Sequence, residues 1–244
     1  MPVQEKNIKG FNVLELIVVL TIVGIISAVA YPNFSSWTKE RQVRSGATKI
    51  QSFMKNIHSQ TERGTFAYVQ VLFSNNDERL QLTSKGMTMQ DLASLINNGD
   101  SEWNQIPEGR CDMMADNYWS TDNADDDDDI KNFVYTISLE DVTTNFIGDG
   151  AVCFARNGKF FEASFNFDSG NSVPFQYVYV CRRASAPAGV CPVPNGDAVT
   201  KEEALELITH LRAVNFGRFG NFSTSKFKSD VDDGGNYTGG TWME

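Results

Sequence analysis

The feature that most limits this chain is the apolar run Leu16 to Tyr31, entered through Phe11-Asn-Val-Leu-Glu15. A short basic leader ends at Gly10, and one carboxylate, Glu15, stands four residues past Phe11. The run is about the roughly 20 residues that a membrane-spanning helix needs. An acid inside it costs on the order of 2–3.5 kcal/mol at mid-bilayer, so it marks a function and calls for a named partner. A plain membrane anchor gives Glu15 no purpose. A secretory signal is suggested by Ala28-Val29-Ala30, an A-x-A site behind an apolar core, but an acid in that core weakens it.

Gly10-Phe11-x-x-x-Glu15 ahead of an aliphatic helix resembles the class III signal of type IV pilins and type II secretion pseudopilins. The resemblance implies a peptidase that cuts between Gly10 and Phe11 and methylates the new N-terminus, with the apolar helix retained. The freed Phe11 amine and Glu15 lie one helical turn apart. A lone carboxylate in an apolar core is unfavourable, and an opposite charge offsets part of its cost. The resemblance implies that Glu15 meets the Phe11 amine of a neighbouring subunit and sets its register. Pro32-Asn-Phe34, Trp37, Arg41-Gln-Val43-Arg44-Ser45 and Arg63-Gly64 are similar to GspH/FimT-type minor pilins. In those proteins such a helix leads straight into a β-domain.

Gly24 and Pro32 are helix breakers, and residues 24–31 are expected to be a soft segment in an assembled filament. Beyond Pro32, Phe34, Trp37, Val43, Ala47, Ile50, Phe53, Met54 and Ile57 recur at three- and four-residue steps, with Lys and Arg opposite. This predicts an amphipathic helix to about Thr61, its aromatics in a core, ended near Gly64.

Strands are expected at residues 65–73, 133–139, 151–155, 159–167 and 175–181, the third and fourth joined by an Asn157-Gly158 hairpin turn. A short helix capped by Thr88 fits residues 88–97. Residues 98–129 read as a polar insertion. Thr200-Lys-Glu-Glu203 is a capping box that opens a helix through Val214. Residues 217–244 are Gly-, Ser- and Asp-rich and expected to be exposed or disordered.

The net charge of −10 disfavours direct nucleic-acid binding. The basic leader favours a cytoplasmic N-terminus, which places Cys111, Cys153, Cys181 and Cys191 where disulfides persist. Their three pairings are not separable by sequence. Two acidic clusters, 125–129 and Asp230-Val-Asp232-Asp233, are weighed for metal. A solvated loop is the simpler reading of both, and neither has the spaced calcium-loop pattern. Some pseudopilins bind calcium late in the chain, which makes Asp230, Asp232 and Asp233 the calcium candidates. No cofactor is expected otherwise. His58 and His210 read as satisfied or exposed, and no nucleophile, zinc or phosphate-loop motif nominates catalysis.

The expected fold is α+β: a long N-terminal helix, membrane-embedded in its first half and amphipathic in its second, packed on a C-terminal antiparallel β-sheet domain. The expected divisions are a leader at 1–10, a transmembrane or filament-core helix at 11–34, an amphipathic helix at 35–64, a β-domain at 65–183 and an extension at 184–244. The expected protein is not an enzyme but a minor pilin or pseudopilin. It would cross the inner membrane once, with the rest in the periplasm or outside. Its expected partners are a prepilin peptidase/methyltransferase, other pilin subunits, an inner-membrane assembly platform and the membrane itself. The alternatives are a major pilin of the shaft, or an extracytoplasmic binding or enzymatic domain on a pilin-like anchor.

Overall fold

The computed structural model describes residues 12–76, 78–99, 134–146, 149–157, 160–162, 177–186, 189–192, 210–216, 220–231 and 237–243. These form two compact units, Met1–Arg41 and Gln42–Glu244. Helix α1 is assigned Val13–Glu62 and contributes to both.

In the second unit the helical repeat decides what is buried. Val43, Ala47, Ile50, Met54 and Ile57 are almost fully enclosed, while Arg44, Lys49 and Lys55 face solvent. Spacings of three and four residues bring these apolar side chains onto one stripe. The helix stops at Gly64, whose φ of 76° is a left-handed value that suits glycine, with its N–H bonded to the Thr61 carbonyl at 3.0 Å.

Two five-stranded antiparallel sheets follow. Sheet A contains β1 (Tyr68–Asn75), β2 (Leu80–Met87), β3 (Val134–Leu139), β5 (Asp149–Ala155) and β6 (Phe160–Glu162), in the order β3-β2-β1-β5-β6. Sheet B contains β4 (Val142–Thr144), β7 (Tyr177–Arg182), β8 (Arg212–Phe216), β9 (Phe222–Val231) and β10 (Tyr237–Met243), in the order β10-β9-β8-β7-β4. Strand alternation sends Val69, Val71, Phe73, Val152 and Phe154 of sheet A into the core shared with α1. Val178, Val180, Val214 and Phe216 of sheet B enter the same core. A smaller cluster on the other side of sheet A takes in Tyr68, Met87 and Cys153, together with Leu92 of α2 (Met89–Asn97). Thr88 caps α2 as expected: its hydroxyl accepts from the Asp91 N–H, and the Asp91 carboxylate accepts from the Thr88 N–H.

At one point the helix and sheet B come so close that only glycine fits. A Cβ on Gly46 would lie 2.7 Å from a methyl of Val142, which is itself buried. Gly46→Ala is expected to lower stability by about 1–2 kcal/mol, because overpacking outweighs the roughly 1 kcal/mol of helix propensity gained. Urea unfolding would measure this, and an unchanged or raised midpoint would refute the close packing.

Several expectations are corrected. The expected fold, a long N-terminal helix membrane-embedded in its first half and packed on one sheet domain, is corrected in its membrane-embedded half and its single sheet. Among the described residues no helix is long and apolar enough to cross a membrane. The expected transmembrane helix and single pass through the inner membrane are corrected on the same ground. The β-content lies in two sheets instead of one.

The expected boundary at residue 184 also fails, since β7 pairs directly with β8. The expected helix opened at Thr200 lies mostly outside the described residues, and its last residues, 212–214, belong to β8. Ala213 and Val214 are buried on opposite sides of that strand, so apolar periodicity alone does not separate strand from helix there. The expected flexible acidic tail instead contains β9 and β10. Phe34 and Trp37, expected in a core, are exposed in the first unit.

Candidate functional site

The described part of the first unit starts with a capped helix end. The Asn12 side-chain carbonyl accepts from the Leu14 N–H at 3.2 Å, and its backbone carbonyl accepts from the Leu16 N–H at 3.2 Å. Asparagine in this place satisfies a backbone donor that the helix cannot. Glu15 follows in the first turn and is exposed. A carboxylate there is favoured by the partial positive charge of the helix N-terminus.

From Val13 to Ile26 every large apolar side chain is exposed, from 49% at Val18 to 74% at Val13. These residues point in all directions around the axis. The polar interruptions are muted: Thr21 donates its hydroxyl to the Ile17 carbonyl at 2.7 Å, and Ser27 to that of Val23 at 2.7 Å. A helix that is apolar all round belongs inside something. Each side chain gains about 1.5–3 kcal/mol when fully covered. An added Cβ on Gly24 would meet nothing within 4 Å, so that glycine leaves a gap in the surface. Farther along, Phe34 and Trp37 lie 5.8 Å apart, and the Arg41 guanidinium sits 5.4 Å over the Trp37 ring.

Of the other expected site residues, the described cysteines lie in the second unit. Gly10 and Phe11 lie outside the described residues, as do Cys111, Asp232, Asp233 and the acidic run at 125–129. Pro32 falls within α1, and Asp230 within β9; their side chains are not described. Cys181 and Cys191 form a disulfide, and Cys153 is also disulfide-bonded. No cluster of potential metal ligands occurs among the described residues.

His58 is buried, with its ring edge-on to Phe154 at 5.6 Å and Phe222 at 5.7 Å. Its Nδ1 is 3.7 Å from the Glu62 carboxylate, while Nε2 has no hydrogen-bond partner among the described residues.

A polar node that sequence reasoning missed ties the two sheets together. Asn75 at the end of β1 donates to the Gly189 carbonyl at 3.0 Å and accepts from Thr143 of β4 at 2.9 Å. Arg183 donates to the Asn75 side chain at 3.0 Å and to the Val142 carbonyl at 3.2 Å. The Cys181–Cys191 bridge closes the loop that carries Gly189. These partners are 41 to 114 residues apart in the chain, so no local motif announces them. No protein-family model matches the chain, and no solved structure does.

Proposed function

We propose that this chain is a structural subunit of a type IV pilus or type II secretion-type filament, in the role of a minor pilin or pseudopilin. The observation that carries the reading is the capped start of α1, where every large apolar side chain from Val13 to Ile26 is exposed around a single first-turn carboxylate. An all-round apolar surface needs cover on every side, and parallel copies of the same helix supply it. Glu15 then needs a cation inside that bundle. Cleavage between Gly10 and Phe11 by a prepilin peptidase/methyltransferase provides one, the α-amine of Phe11 on a neighbouring subunit. An assembly platform would deliver subunits one at a time, and the amine–carboxylate pair would fix the depth at which each docks.

Mass spectrometry of the mature chain from its native source tests the first step. N-methyl-Phe11 at the N-terminus is expected; an intact Met1 or a Tyr31 terminus overturns the reading. Glu15→Ala is expected to lower incorporation into filaments at least ten-fold in competition with the unaltered chain. Equal incorporation would remove the docking mechanism.

A further inference from the structure

The face of sheet B turned away from the shared core holds an aromatic arrangement that subunit assembly does not use. Trp242 of β10 lies parallel to Tyr179 of β7, with ring centroids 5.4 Å apart and planes 10° apart. Phe227 of β9 meets Trp242 edge-on, at 5.0 Å and 64°. Trp242 is the register partner of Phe227, so both project from one face. Its ring reaches Tyr179 across two intervening strands because small residues occupy the register positions between, Ala213 and Ser225. Tyr179 and Phe227 are buried, whereas Trp242 remains 38% exposed. The indole is therefore held by two rings beneath it and keeps surface open to solvent.

A polar row lies beside this shelf. Tyr177, Asn215 and Ser223 are consecutive register partners two residues along from Tyr179. The Asn215 amide donates to the Ser223 hydroxyl at 3.1 Å and to the Ser225 hydroxyl at 3.3 Å. Tyr177 and Ser223 are exposed. The row holds no carboxylate, ammonium or guanidinium group, and burial followed by repulsion from Tyr177 raises the Tyr179 hydroxyl above its ordinary value of 10.0.

We propose that this face is a binding site for a neutral saccharide. A pyranose has one face of C–H bonds, which packs on an aromatic plane, and a rim of hydroxyls, which pairs with amide and hydroxyl groups. The Trp242 shelf offers the plane, and the Tyr177 and Ser223 hydroxyls offer the rim, with the Asn215 amide holding Ser223 in place. Aromatic walls with a few fixed polar groups are the usual make-up of small-ligand sites. The neutrality of the row argues against a nucleic acid, whose binding rests on cations that neutralise phosphates. The polar row argues against a purely apolar peptide. This inference stands apart from the filament reading, because it uses only the second unit.

The test is titration of the full chain with cellotetraose and chitotetraose, followed by calorimetry, with an oligogalacturonate and a single-stranded oligonucleotide as charged controls. At least one neutral tetrasaccharide is expected to bind, and to bind tighter than either control. Trp242→Ala is expected to weaken it at least ten-fold, and Trp242→Phe to restore part of that loss. Tyr177→Phe with Ser223→Ala is expected to weaken binding three- to ten-fold without moving the thermal midpoint, which keeps the question answerable if Trp242→Ala does not fold. No binding of either neutral sugar at 10 mM ligand, on the order of −2.7 kcal/mol, would overturn the proposal. So would tighter binding of a charged control, or neutral binding that both sets of variants leave unchanged.

Discussion

Phe154→Ala is expected to cost about 3–5 kcal/mol and to lower the thermal midpoint of the second unit on the order of 10 °C. Phe154 is fully buried on β5, in the inner row of sheet A. Its ring lies 5.6 Å from His58 of α1 and 5.9 Å from Phe222 of β9. It is thus the place where helix, sheet A and sheet B are in aromatic contact together. Truncation removes packing from all three at once. The space left cannot close easily, because Phe222 is also held edge-on by Phe216 at 5.8 Å. Val152→Ala, one inward position along the same strand, is a smaller deletion and should cost less. Calorimetry on both variants gives the comparison. A midpoint shift under about 2 °C for Phe154→Ala would mean that the three elements do not share one core.

The second large effect is expected in the first unit. Ile22→Lys should reduce assembly of the full chain by at least a hundred-fold while leaving the unfolding of the second unit unaltered. Ile22 is exposed in the single subunit, so the substitution costs nothing there. In a bundle of copies the ammonium would be enclosed by aliphatic side chains without a partner. An unpaired buried charge costs several kcal/mol, and each 1.4 kcal/mol is a factor of ten. Ile22→Leu, which keeps the position aliphatic, should assemble normally. The measurement is the fraction pelleted on ultracentrifugation, compared among the unaltered chain, Ile22→Lys and Ile22→Leu. Undiminished assembly of the lysine variant would show that this helix is not the surface on which copies pack.

The parts of the fold that were readable in advance are those governed by near neighbours. The stripe from Val43 to Ile57, the Thr88 cap and the strands around Val71, Val152 and Val178 all follow from periods of 3.6 or 2. The parts that were not readable depend on distant partners. Ser223, Thr224 and Ser225 look like linker residues, yet β9 is a strand because Phe222 and Phe227 anchor opposite sides of it. Leu80 and Leu82 of β2 alternate cleanly, but Lys85-Gly86 beside them masks the signal. At the candidate assembly surface, the apolar run and Glu15 were plain in the sequence. The exposed Phe34–Trp37–Arg41 group was not, because its spacing continues the pattern of the buried stripe. The stacked Tyr179 and Trp242 stand 63 positions apart, and only the order of strands in sheet B brings them together.

The two sheets are not separate modules strung one after the other. The chain leaves sheet A after β3, lays down β4 in sheet B, returns for β5 and β6, and goes back for β7. Among the described residues β4 has only β7 as its neighbour, and β7 is synthesised more than thirty residues later. A nascent chain must therefore carry β4 with an open hydrogen-bonding edge until the downstream sequence emerges. No single cut in the gene would separate the two sheets, and a premature stop before Tyr177 would strand β4 without the lattice it was made to join.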